Sequence, residues 1–225
     1  MKIITVLLAE DHAIVREGFR SLLKHERDIE VVGEAETGRQ AVQLTKKLRP
    51  AVVLMDIAMP LLNGLEATRQ IRKDFPDTKV LILSAHSDDA YVEQVIELGG
   101  AGFLLKQTSS HNLATAIREV YKGNTFFSPA ISKRLNGRDR KSLNRAGKLK
   151  KRSNRLSSRE VEVLQLIAEG KANKQVAAEL GVSFKTVDKH RQHLMTKLNI
   201  HDTAGLTRYA ISAGIIESSI QLTIS

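Results

Sequence analysis

Five short apolar runs separated by amphipathic stretches fill roughly the first 120 residues, and this alternation constrains the fold more than any other feature of the chain. The runs are Ile3 to Ala9, Glu30 to Ala35, Ala51 to Met55, Val80 to Ser84, and Gly102 to Leu105. Each reads as a buried strand. Between and after them, Ala13 to Leu23, Gly38 to Leu48, Leu65 to Lys73, Asp88 to Leu98 and Asn112 to Tyr121 carry helical patterns. The first of these turns Ile14, Phe19, Leu22 and Leu23 toward one side and leaves Arg16, Glu17, Arg20 and Lys24 to water. Strands alternating with helices imply right-handed crossovers and a doubly wound α/β fold, here a five-stranded parallel sheet covered on both faces.

The alternation stops before the chain does. Residues 132 to 155 hold 11 Lys and Arg against one acidic residue, whereas the flanking segments are nearly balanced, so this stretch carries the +10 net charge of the 225-residue chain. With Gly137, Gly147 and only scattered leucines it has no apolar face, and it reads as a basic linker that either tethers two folded units or also meets polyanionic phosphate. The expected division is 1–123, a linker over 124–155, and 156–225. The chain has no cysteine, which excludes disulfides and thiolate chemistry. It has no run of 18 apolar residues, and its start lacks the pattern of a secretory leader. A cytoplasmic protein with no membrane association is expected.

In doubly wound sheets ligands bind beyond the carboxyl ends of the strands. Those ends carry Glu10 and Asp11, then Asp56, Ser84 and Lys106. Three carboxylates converging on one edge need a cation, and hard oxygen donors suit Mg²⁺. Asp56 could then attack phosphorus, with Mg²⁺, Lys106 and the Ser84 hydroxyl balancing the phosphoryl oxygens.

The residues around these positions, Glu10-Asp11-His12, Met55-Asp56-Ile57-Ala58-Met59-Pro60, Asn63-Gly64, Leu81 to Ala85 and Phe103-Leu104-Leu105-Lys106, resemble a response-regulator receiver domain over residues 2 to 123. The resemblance implies a flavodoxin-like sheet in which Asp56 accepts phosphate from a sensor histidine kinase. It also implies Mg²⁺ held by Glu10, Asp11, Asp56 and the Ala58 carbonyl, and a phosphoryl group gripped by Lys106 and Ser84. Phe103 takes the place of the switch aromatic, where many relatives carry Tyr; it also reads as an ordinary core residue. An Mg²⁺-dependent phosphohydrolase would use the same aspartate, but Met59-Pro60 offers neither an acid/base group nor a leaving-group pocket.

After the linker only helical patterns occur. Ser157 and Glu160 fit a capping box before the face Val161, Leu164, Ile167 and Ala168. A second helix, near Lys174 to Leu180, stops at Gly181; Ser183 caps a third, Phe184 to Leu198; Asp202 caps a fourth with Leu206, Tyr209 and Ala210. This is a small all-α helix-turn-helix unit. On the third helix Val187, Leu194 and Leu198 share one side, and Lys185, Lys189, Gln192 and Thr196 lie opposite, suited to a major groove. Asn173 to Ala177, Leu180 to Ser183 and Lys185-Thr186-Val187-Asp188-Lys189-His190 resemble the LuxR-type DNA-binding domain over residues 155 to 216, which adds Thr186 and His190 to the expected contacts. A receiver followed by this unit is similar to the NarL/FixJ class of response regulators. The class implies a phosphorylation-switched, non-enzymatic transcription regulator with at most weak autophosphatase activity, partnered by double-stranded DNA and a sensor histidine kinase and dimerising on activation. A constitutive DNA-binding protein whose receiver serves only for dimerisation is the non-switching alternative. Asp188 departs from the class, which commonly has lysine there.

Overall fold

A computed structural model describes residues 2–85, 89–107, 110–127 and 156–216. They form two compact units, one on either side of residues 128–155.

The first unit is built on β1 (Ile4–Ala9), β2 (Ile29–Ala35), β3 (Val52–Asp56), β4 (Lys79–Ser84), β5 (Gly102–Leu105) and β6 (Phe126–Phe127). All neighbours are parallel, in the order β2-β1-β3-β4-β5-β6. The crossovers are α1 (Ala13–Lys24), α2 (Gly38–Leu48), α3 (Gly64–Asp74), α4 (Asp89–Glu97) and α5 (Ser110–Tyr121). Successive strand residues point to opposite faces. In β1, therefore, Val6 and Leu8 pack with Phe19 and Leu23 of α1 and Leu113 and Ile117 of α5, while Leu7 and Ala9 pack with Ala41 of α2, Leu65 and Ile71 of α3 and Val95 of α4. The two apolar layers hold a sheet whose order reverses between β1 and β3.

The sheet has one strand more than the five expected. β6 lies within the stretch read as the start of the linker, and its two residues pair Gly102 with Phe126 and Phe103 with Phe127. Two residues are too few to show a period in sequence. Gly102 makes the pairing possible, because a Cβ there would sit 2.2 Å from the Phe126 carbonyl oxygen. The remainder of the linker, with its basic cluster, falls outside the described residues.

Helix α1 also corrects an expectation. Phe19 and Leu23 are buried, but Ile14 is 87% exposed and Leu22 37% exposed. Nine residues at 100° each put Ile14 about 180° from Leu23, and Val15, in phase with Phe19, packs inward instead.

The second unit consists of α6 (Ser158–Ala168), α7 (Asn173–Leu180), α8 (Phe184–Leu198) and α9 (Thr203–Ser212). The expected caps form. Ser157 Oγ accepts from Glu160 N at 3.3 Å while Glu160 Oε2 accepts from Ser157 N at 2.7 Å; Ser183 accepts from Thr186 N and Asp202 from Gly205 N. Gly181 closes α7 in the left-handed conformation, φ 62°. The single apolar stripe expected on α6 is too narrow. Leu164 and Ile167 are buried, Val161 and Ala168 are half-buried, and Val163 and Leu166 are buried as well. Helices α7, α8 and α9 all pack on α6, so it is enclosed rather than laid on a surface.

Candidate functional site at the strand ends and candidate nucleic-acid interface on α8

The reversal of strand order between β1 and β3 opens a crevice at their carboxyl ends. Glu10 and Asp11 follow β1 directly, and Asp56 ends β3. Glu10 and Asp56 are buried, at 1% and 2% exposure. Lys106, which follows β5, brings its Nζ to 2.8 Å from Glu10 Oε2 and 3.0 Å from Asp56 Oδ2. Ser84 is in register beside it: Ser84 pairs with Leu105 in the sheet, and its carbonyl accepts from Lys106 N at 2.8 Å. The five sequence-selected residues thus end on one edge, with Lys106 bridging two of the carboxylates.

The electrostatics follow from burial. Desolvation, reinforced by the Glu10 charge, pushes the Asp56 carboxyl up to about 7 against the pull of Lys106. Burial acts against the Lys106 charge, but the Asp56 and Glu10 carboxylates outweigh it and hold its pKa above the ordinary lysine value. Glu10 Oε2, Asp11 Oδ1 and Asp56 Oδ2 are buried oxygens whose only partners among the described residues are ion-paired bases, Lys106 for the first and last and His12 for Asp11. Hard oxygens in that condition fit a divalent cation such as Mg²⁺.

Asp11 lies at the rim and does not cap α1; the residue at that cap is His12, whose side chain makes no capping bond. His12 Nδ1 is instead 2.9 Å from Asp11 Oδ1 and 3.2 Å from Glu10 Oε1, and chiefly the Asp11 charge raises its pKa. Glu10, Asp11 and His12 offer donor atoms within 4.8 Å of one another. Sequence reasoning did not include His12 in the site, although a histidine directly after an acidic pair was the signal. It also missed Arg16, which donates to the Glu10 carbonyl at 2.7 Å and to Glu34 and Glu36, fixing the β1 end from α1.

The loop after Asp56 carries Ala58 and folds back on itself. Met59 N and Gly64 N both donate to the Ile57 carbonyl, at 3.1 and 2.9 Å. Leu61 takes a φ of 67°, and Asn63 caps α3 by accepting from Glu66 N at 2.8 Å. A Cβ on Gly64 would fall 1.8 Å from the Asp56 carbonyl oxygen. Only glycine therefore lets α3 start directly against the acidic strand end. Phe103 is fully buried on β5 and packs in the layer that includes Ile82, Val92 and Val95.

In the second unit, α8 buries Val187 and Leu194 and exposes Lys185, Lys189, Gln192 and Thr196, as its phase requires. Thr186 and His190 are half-buried on the flank. Thr186 is engaged in the cap, with its Oγ1 2.9 Å from Ser183 Oγ. Two ties fix the helix. Arg191 donates to Asn173 Oδ1 of α7 at 3.0 Å and to Thr203 Oγ1 of α9 at 2.8 Å, and Lys197 Nζ meets Glu160 Oε2 at 2.9 Å. The exposed polar row therefore sits on a braced helix.

Residues 6–118 match the family of response regulator receiver domains, and residues 154–210 match the bacterial regulatory proteins of the luxR family. The oxygen regulatory protein NreC of Staphylococcus carnosus is 38% identical over 220 residues, covering 94% of this chain and 99% of that protein. A structure of the RcsB response regulator of Salmonella typhimurium superimposes with a TM-score of 0.56 at 29% identity, covering 94% of this chain and all of that one. A structure of the RcsB–DNA complex gives 0.58 at 29% identity, over 94% and 99%. Among the described residues no helix is long and apolar enough to cross a membrane. The chain belongs to the NarL/FixJ class of response regulators, DNA-binding transcription regulators that join a receiver domain to a LuxR-type helix-turn-helix domain.

Proposed function

We propose that Asp56 is the phospho-acceptor of this regulator and that a sensor histidine kinase supplies the phosphoryl group. The observation that carries this reading is the placement of a buried Asp56 oxygen 3.0 Å from Lys106 Nζ at the point where strand order reverses. In the transfer an Asp56 oxygen bonds to phosphorus while the bond from phosphorus to the kinase imidazole breaks, its electron pair returning to the ring. Glu10, Asp11, Asp56 and the Ala58 carbonyl would hold Mg²⁺, which neutralises the converging oxygens. Lys106 can leave its pairing with Glu10 and Asp56 to meet the phosphoryl oxygens, and Ser84, beside it in the sheet, supplies a hydroxyl. Phe103 connects this edge to the packing of α4 and β5.

The second unit binds double-stranded DNA through α8, with Lys185, Lys189, Gln192 and Thr196 toward the groove and Thr186 and His190 at its margin. Phosphorylation promotes a homodimer, and the protein works in the cytoplasm. Residues 1–123 together with strand β6 serve as receiver, the rest of the stretch to residue 155 as linker, and 156–225 as DNA-binding domain. The test is mass measurement after treatment with acetyl phosphate and Mg²⁺, with DNA binding and oligomeric state read on the same sample. One acid-labile phosphoryl group is expected on the wild type and none on Asp56→Asn; equal labelling of the two would reject Asp56 as acceptor.

A further inference from the structure

The exposed row of α8 contains one internal hydrogen bond. Gln192 Nε2 donates to Asp188 Oδ2 at 3.2 Å, one turn away on the same side of the helix. Among the described residues no cation pairs with Asp188: Arg191 is held by Asn173 and Thr203, and the exposed Lys185 and Lys189 form no ion pair with it. A carboxylate thus stays on the flank of a surface otherwise furnished with Lys185 and Lys189.

We infer that Asp188 and Gln192 read the major groove as one hydrogen-bonded unit that selects bases presenting amino groups. The inference rests on α8 being the groove helix. A free glutamine amide offers a donor and an acceptor in balance. With one N–H held by Asp188, the pair turns outward the Gln192 carbonyl oxygen, one remaining N–H, and the second Asp188 oxygen. Acceptors outnumber donors. The carboxylate can take a hydrogen bond from the cytosine N4 amino group, but it faces only acceptors on the N7 and O6 edge of guanine. Gln192 keeps an acceptor for the adenine N6 amino group and a donor for N7. The unit therefore selects cytosine opposite Asp188 and cytosine or adenine opposite Gln192, while Lys185 and Lys189 supply affinity for phosphate or guanine nearby.

The experiment is selection from random double-stranded DNA by the full-length phosphorylated protein, for the wild type, Asp188→Asn, Gln192→Ala and the double variant. Asp188→Asn keeps the size of the side chain and gives it an N–H. The preference for cytosine over guanine at one base position should fall by about 10-fold in that variant. Gln192→Ala should weaken the preference at that same position as well as at its own, and the double variant should lose less than the product of the two single losses. A base preference unchanged in Asp188→Asn overturns the inference while leaving α8 as the groove helix. Strictly multiplicative losses overturn the coupling of the two residues. If the wild type retains no DNA above a scrambled control, the reading of α8 fails and the inference with it.

Discussion

The strand-end pocket and the exposed row of α8 both carry lysine and carboxylate side chains, but they use them in opposite ways. In the pocket the partners belong to the same chain: Lys106 is 16% exposed and lies between two carboxylates that are almost fully buried. Each group changes the ionisation of the others, and the site is strained electrostatically before any ligand arrives. On α8, Lys185 and Lys189 are solvated, and they contribute little until phosphate or a base edge is supplied from outside. Function in the first region is therefore coupled to the stability of the fold, and in the second it is not.

The largest test of that contrast is Asp56→Asn. Burial in the fold pushes the Asp56 carboxyl up to about 7, whereas an ordinary aspartate titrates near 3.8. The stability associated with this raised pKa is fully present below the lower value and is lost as pH rises through the upper one. In a chelator, Asp56→Asn should exceed the wild type in urea denaturation by about 4 kcal/mol at pH 8, narrowing to less than half of that at pH 5. Added Mg²⁺ should close the gap from the wild-type side. Parallel denaturation curves at every pH would show that the carboxyl is not disfavoured in its charged form.

Lys106→Ala leaves Glu10 and Asp56 without their shared cation, and a loss of about 3 kcal/mol of folding stability is expected at neutral pH. Here Mg²⁺ should restore much of the loss, because it replaces one positive charge by another. On the other side of the comparison, Lys189→Ala should weaken DNA binding at the best site by about 2 kcal/mol and change folding stability by no more than about 0.5 kcal/mol. A large stability change in Lys189→Ala, measured by thermal melting, would break the distinction. The smallest effect belongs to the second unit's framework: Ser157→Ala removes one half of the capping box on α6 and should cost about 1 kcal/mol, with an unchanged base preference in the DNA it retains.

The two regions also differ in how far the sequence revealed them. The strand ends were legible because the central parallel strands are apolar, so a polar or charged residue at the end of four of the five runs stands out and topology then brings these ends together. The bridging position of Lys106 was not legible, since it depends on the register of β4 and β5. His12 was passed over because a residue just past a strand end has no fixed direction until α1 begins. On α8 the helical period identified the exposed row correctly, since a 15-residue helix samples its faces several times. On α1 the same reasoning misplaced Ile14, where apolar residues occur on two sides of the helix and periodicity alone leaves the choice to packing. Helix α6 shows the converse limit, because a segment enclosed by three others has no single apolar face to read.

Phe103 has a consequence for the kind of signal the first unit can carry. Fully enclosed and with a wholly apolar side chain, it can shift only by exchanging space with other members of its apolar layer, which includes Ile82, Val92 and Val95. Such a shift moves hydrocarbon but neither a proton nor a charge. If phosphorylation of Asp56 is relayed through Phe103, as proposed, salt and pH would act on the chemistry at Asp56 and not on the packing step. Hydrostatic pressure acts on the packing step directly, because it favours whichever arrangement leaves the smaller internal void. Two arrangements of this core with the same charges and hydrogen bonds would still be separable by their molar volumes.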